Sequence, residues 1–170
     1  DIAISEDTYL SIIEKKTAIL ISAACAAGAV LADLPENRST SLGTFGLCLG
    51  KAFQVTDDIL DYMAEEKDFG KAMGMDLKEG KITLPLIRAL AVCGGEERNR
   101  VGKLVRAKEL AEAEIREVTS LIGKYGGIEY ALEKARKTIS DGKRHLDGFP
   151  DGPPKTALLT LADYILKRKM

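Results

Sequence analysis

The sequence is poor in the residues on which acid–base and soft-metal chemistry usually rest. In 170 residues it has one histidine, three cysteines and no tryptophan. His145 stands among Lys143, Arg144 and Asp147 near an expected helix end, which reads as an exposed surface position, so Ser/His/Asp and Cys/His constellations have little support. Cys25, Cys48 and Cys93 have no paired spacing. They read as packing residues of a chain in a reducing cytoplasm, not as a disulfide framework or a zinc site. No long apolar run occurs either. The most apolar stretch, Ala18 to Ala32, is broken by Ser22 and Gly28 and is shorter than the roughly 20 residues that span a bilayer. It reads as a buried helix, and no signal peptide is visible in the sequence. Charge of one sign is missing as well. With 25 basic and 26 acidic residues the net charge is −1, and the short Lys167-Arg168-Lys169 run leaves no electrostatic footprint for nucleic acid. A chain of 45% hydrophobic and 30% charged residues is expected to fold as one domain over residues 1–170.

What is present is helical periodicity. Asp7 to Leu31 reads as one long helix capped by Ser5 or Asp7, and the stretch from Pro35 to Arg38 breaks it. Ser39 to Glu65 reads as a second helix. Thr83 with Pro85 in the first turn starts another, which Gly94-Gly95 stops. Ala111, Ile115, Val118 and Ile122 then recur at helical spacing up to Gly126-Gly127, and Ile128, Ala131, Leu132, Ala135 and Ile139 continue the pattern. The FPDGPP segment breaks it, and Ala157, Leu161 and Ile165 mark a last helix. Nothing resembles a strand or a repeat, so the expected fold is all-α.

Residues 53–85 carry most of the functional information. On a helix, Gln54, Asp57, Asp58 and Asp61 fall within about 100° of arc. Neighbouring carboxylates repel and Asp is a poor mid-helix residue, so packing gives no reason for the run. No Lys or Arg lies between Lys51 and Lys67, which removes a salt-bridge ladder as its explanation. A hard divalent cation would neutralise the stripe, since Mg²⁺ takes one or two protein carboxylates and completes its octahedron with water and phosphate oxygens. A solvated acidic face is the plainer alternative. The following segment favours the cation: Gly70, Gly74 and Gly80 allow close backbone approach, and Lys71, Lys78 and Lys81 bring positive charge for a phosphate. The spacing does not fit a nucleotide P-loop.

These residues resemble the second aspartate-rich motif of the trans-isoprenyl (polyprenyl) diphosphate synthase family. Phe53, Gln54, Asp57, Asp58, Asp61, Gly70, Lys71, Gly74, Asp76, Gly80, Lys81, Thr83, Leu84 and Pro85 stand in the family's order. Upstream, IIEKKTAIL is similar to the family's Lys-Thr element, and the final helices YGGIEYALEKA and LADYILKRKM also look like the family's. The resemblance implies part of a helical bundle of the isoprenoid synthase type. It also implies an Mg²⁺-dependent prenyltransferase that joins an allylic diphosphate to isopentenyl diphosphate. By that resemblance Asp57, Asp58 and Asp61 are the metal residues, with Asp57 in direct contact, and Lys16, Lys71 and Lys81 bind the diphosphate. Thr17 and Gln54 would steady the carbocation or orient the second substrate. Thr56 departs from the aliphatic residue frequent at its position.

The family also carries a first aspartate-rich motif and an isopentenyl site before the Lys-Thr helix, and neither occurs in this sequence. The chain therefore reads as the C-terminal half of a family enzyme, inactive alone, and the missing half holds the residues that set product length. Cavity helices left without their neighbours are expected to drive a homodimer or higher assembly. Two other readings stay open: a non-catalytic partner subunit of a heteromeric synthase, and a structural helical domain whose acids face solvent.

Overall fold

The computed structural model describes residues 2–63, 74–107 and 110–168. Among them there is no strand, as the periodicity predicts. The elements are α1 (Glu6–Ile13), a π-helical turn (Glu14–Ala18), α2 (Ile19–Leu31), α3 (Glu36–Met63), the short α4 (Met75–Lys78), α5 (Leu84–Val92), α6 (Gly95–Val105), α7 (Glu112–Lys124), α8 (Gly127–Arg144) and α9 (Pro153–Lys167). The chain divides into two compact units, Asp1–Tyr9 with Asp57–Ala131, and Leu10–Thr56 with Leu132–Lys169. Each is described by itself.

In the first unit, α1 begins where the Ser5 hydroxyl accepts the amide of Thr8 at 3.1 Å, the capping that Ser favours. Helix α5 is apolar on nearly every side and buries Leu84, Leu86, Ile87, Ala89 and Leu90. It packs on α7, which presents Ile115, Val118 and Ile122 of the expected stripe to the core, whereas Ala111 stands exposed just before the helix. Gly127, the first residue of α8, sits so close to the start of α5 that a Cβ there would collide with the Pro85 carbonyl. Helix α6 was not evident from the sequence, because eight of its 11 residues are charged, polar or glycine and only Val101 and Gly102 are buried. Gly102 is pressed by Ile2, whose side chain occupies the space of a Cβ.

In the second unit, α2 and α3 approach through small residues. A Cβ on Gly46 would lie 2.8 Å from Cys25 Sγ, and one on Gly50 would lie 2.5 Å from Ala18 Cα; the Ser22 hydroxyl donates to the Gly43 carbonyl at 2.7 Å. Glycines thus let two helix backbones nearly touch. Helix α8 meets α3 at Gly142 and Cys48, and Lys143 Nζ reaches Asp163 of α9 at 2.6 Å.

Two expectations need correction. The segment from Asp7 to Leu31 is not one uniform helix but is widened at Glu14–Ala18 into a π turn. The Ala18–Ala32 stretch is not a buried helix: Leu20 is 75% and Leu31 89% exposed, and Ile19 and Val30 are exposed with them. Its small-residue face is taken by the glycines of α3, whereas its large side chains point the other way, where the described residues of the unit place nothing over them. No helix among the described residues is long and apolar enough to cross a membrane.

Candidate functional site

The last two turns of α3 hold the aspartates, and the structure gives each a different environment. Asp57 is exposed and has no hydrogen-bond or ion-pair partner among the described residues. Asp58 is only 4% exposed, and its Oδ2 accepts the hydroxyl of Tyr9 at 2.6 Å. A buried carboxylate is tolerated only with such a donor. Burial first, then the Asp58 carboxylate, pushes the Tyr9 phenol well above its ordinary pKa, so it remains protonated and donates. Asp61 uses both oxygens on backbone amides, Oδ1 accepting from Met75 and Oδ2 from Asp76, each at 3.1 Å. Its own carbonyl accepts the amide of Gly74 at 3.0 Å. Burial raises the Asp61 pKa, while the Asp76 amide opposes the rise.

Asp61 thereby seats the start of α4. Gly74 must be glycine for two reasons: its φ is 73°, the left-handed region, and a Cβ would lie 2.6 Å from Ile115 Cγ2. After α4, Lys81 Nζ pairs with Asp76 at 2.8 Å and Glu79 at 2.6 Å. Those two hydrogen bonds hold its pKa above the usual lysine range. Thr83 then donates its hydroxyl to Tyr62 at 3.0 Å, tying the start of α5 to α3.

The second unit holds the other group. The π turn carries Lys16, exposed, and Thr17. The Thr17 hydroxyl donates to Gln54 Oε1 at 2.8 Å, and Glu14 pairs with Lys51 at 2.5 Å. The turn is therefore held to α3 at two points, and such widened turns recur at functional positions. Lys71 lies outside the described residues, as does Gly70.

The first unit thus brings Asp57, Asp58 and Asp61 to adjacent turns and holds Lys81 by way of Asp76. The second brings Thr17 to Gln54, with Lys16 on the same turn. The sequence reading missed Tyr9 and Tyr62. The signal for Tyr9 was available: it is the one aromatic residue of α1, and a buried tyrosine hydroxyl normally has a partner. No cluster of three or more Asp, Glu, His or Cys side chains among the described residues could enclose a metal ion. The donor set nonetheless fits Mg²⁺, which needs one or two hard carboxylates and leaves its remaining positions to water and phosphate. Asp57 is the open carboxylate, and the other two are already oriented by their own partners.

The family model described as "Polyprenyl synthetase" matches residues 1–122. A geranylgeranyl diphosphate synthase of Methanosarcina mazei is 37% identical over 166 residues, which is 98% of this chain and 49% of that protein. The heptaprenyl diphosphate synthase component 2 of Geobacillus stearothermophilus is 38% identical over 161 residues, 95% of this chain and 49% of that protein. A polyprenyl synthase of Caulobacter crescentus, whose crystal structure holds calcium and isoprenyl diphosphate, superposes with a TM-score of 0.93 at 38% identity, over all of this chain and 52% of that one. The chain spans about half the length of the curated relatives it matches.

Proposed function

The chain belongs to the polyprenyl synthetase family, and on that premise we propose that it is the C-terminal part of an Mg²⁺-dependent prenyltransferase that condenses an allylic diphosphate with isopentenyl diphosphate in isoprenoid biosynthesis. The observation that carries the reading is Asp57, an exposed carboxylate without a partner among the described residues, standing beside two aspartates whose charges are already held by Tyr9 and by the α4 amides. A helix end with three acids, of which one is left open, suits a cation that arrives with its ligand.

Asp57 holds Mg²⁺ directly, and Asp58 and Asp61 support it through water or hydrogen bonds. A cation held by Asp57 would supply positive charge to offset the charge that develops on the leaving diphosphate. The family resemblance gives Lys16, Lys71 and Lys81 as the diphosphate-binding residues, whose ammonium groups would stabilise the leaving group as the allylic C–O bond breaks. Lys81 is paired with Asp76 and Glu79, so it either shares its ammonium hydrogens with the diphosphate or exchanges one carboxylate for it. Thr17 and Gln54 offer neutral dipoles, which steady a carbocation without capturing it. The calcium and isoprenyl diphosphate in the Caulobacter protein support divalent-cation use in the family.

The sequence holds one aspartate-rich motif, so these 170 residues alone do not condense the two substrates. The protein works in the cytoplasm, and the exposed apolar face of α2 supports a homodimer or higher assembly. The test of substrate class is binding of farnesyl diphosphate to the chain with Mg²⁺ and with EDTA. Retention only with Mg²⁺, competed by pyrophosphate, is expected; equal retention in EDTA would reject the assignment.

A further inference from the structure

We infer that Tyr9 is a positioning residue of the aspartate site, its hydroxyl fixing the Asp58 carboxylate beside Asp57. The inference rests on the reading of Asp57 as the cation-binding carboxylate. Tyr9 and Asp58 are each 4% exposed, come from positions 49 apart in the chain, and meet at 2.6 Å, the short O–H···O⁻ distance of a charge-assisted bond. The tyrosine is well suited to this. Its ring is buried and rigid, with two side-chain torsions, so the hydroxyl is delivered to one place from α1.

The consequence for Asp57 follows from helix geometry. Consecutive residues on a helix point about 100° apart, so Asp58 faces the interior when Asp57 faces solvent. With Oδ2 held by Tyr9, Asp58 stays turned inward. Its negative charge lies at a fixed distance behind Asp57, where it strengthens the attraction for a cation without entering the coordination sphere. Groups that orient the carboxylates around a metal typically matter by 10- to 100-fold in metal affinity. Without the phenol, Asp58 Oδ2 loses its short hydrogen bond, and the hold on its orientation relative to Asp57 is weakened.

The experiment is calorimetric titration of pyrophosphate into the full chain over a series of Mg²⁺ concentrations, well below the unfolding temperature. Tyr9→Phe should raise the Mg²⁺ midpoint about 10-fold. Asp58→Asn, which keeps the shape and an acceptor for the Tyr9 hydroxyl, should raise it similarly, and the double variant should be no worse than Asp58→Asn, because both act through one interaction. If Tyr9→Phe lowers the melting temperature but leaves the midpoint in place, its role is confined to the fold and the inference is wrong. Should Tyr9→Phe not fold, an unchanged midpoint in Asp58→Asn overturns the inference by itself. Binding by the parent that is lost in Asp57→Ala but kept in Tyr9→Phe removes this inference alone. No Mg²⁺-dependent binding by the parent removes the diphosphate reading and the inference with it.

Discussion

Replacing Gly50 and Gly28 by alanine should move stability in opposite directions, although both are glycines of helices in the same unit. A Cβ on Gly50 would stand 2.5 Å from Ala18 Cα, 3.0 Å from Ala18 Cβ and 3.3 Å from Ile21 Cδ1. Carbon atoms rest at about 3.5–4.0 Å, so the backbone of the π turn would have to retreat by about 1 Å. Overpacking costs about 1–3 kcal/mol, and the upper end applies because the obstacle is main chain. The helix propensity of alanine returns about 1 kcal/mol, which leaves a net loss of about 2 kcal/mol. For a chain of this size that is a fall in Tm of about 4–8 °C. At Gly28 nothing lies within 4 Å of a Cβ, so only the propensity gain remains, and Tm should rise by about 2–4 °C. Thermal melts followed by far-UV circular dichroism measure both. Gly50→Ala melting at or above the parent would refute the close packing of the π turn on α3, and with it the account of how Lys16 and Thr17 are placed.

Thr56 is fully buried, and its hydroxyl has no partner among the described residues; Thr56→Val should therefore stabilise the chain by about 1 kcal/mol, seen as a higher urea midpoint with an unchanged slope. The exposed Ile19, Leu20, Val30 and Leu31 of α2 should make the chain self-associate, and light scattering at micromolar concentration should give a mass of at least a dimer, with a compact monomer as the contrary result.

Periodicity made most of the fold legible. Of the stripe Ala111, Ile115, Val118 and Ile122 the last three lie on the core while Ala111 is exposed ahead of α7, and the capping of α1 falls on Ser5, one of the two residues named for it. What escaped was set by contacts distant in sequence. Nothing in IIEKKTAIL, with neither glycine nor proline, marks the π turn, which the structure accompanies with Lys51 and Gln54 of α3 as partners. Helix α6 lacks an apolar stripe because it buries one valine and one glycine. The aspartate stripe was legible as a pattern but not as three environments: buried Asp58 is met by Tyr9, 49 positions away, and the orientation of Asp61 depends on amides 14 and 15 residues further along the chain. The exposed face of α2 was misread for the related reason that hydrophobicity reports what a helix would bury, not what is there to cover it.

The central claim is that Asp57 binds a divalent cation together with a diphosphate. Its most direct test is calorimetric titration of pyrophosphate into the parent chain, Asp57→Ala and Glu112→Ala, in Mg²⁺ and in EDTA. Glu112 is an exposed acid of α7 whose partner, Arg116, is also exposed, so its removal should leave binding unchanged. The parent should bind only with Mg²⁺, and Asp57→Ala should lose that binding. If Asp57→Ala binds as the parent does in Mg²⁺, or if EDTA makes no difference, the aspartates are a solvated helix face and the assignment of this site fails.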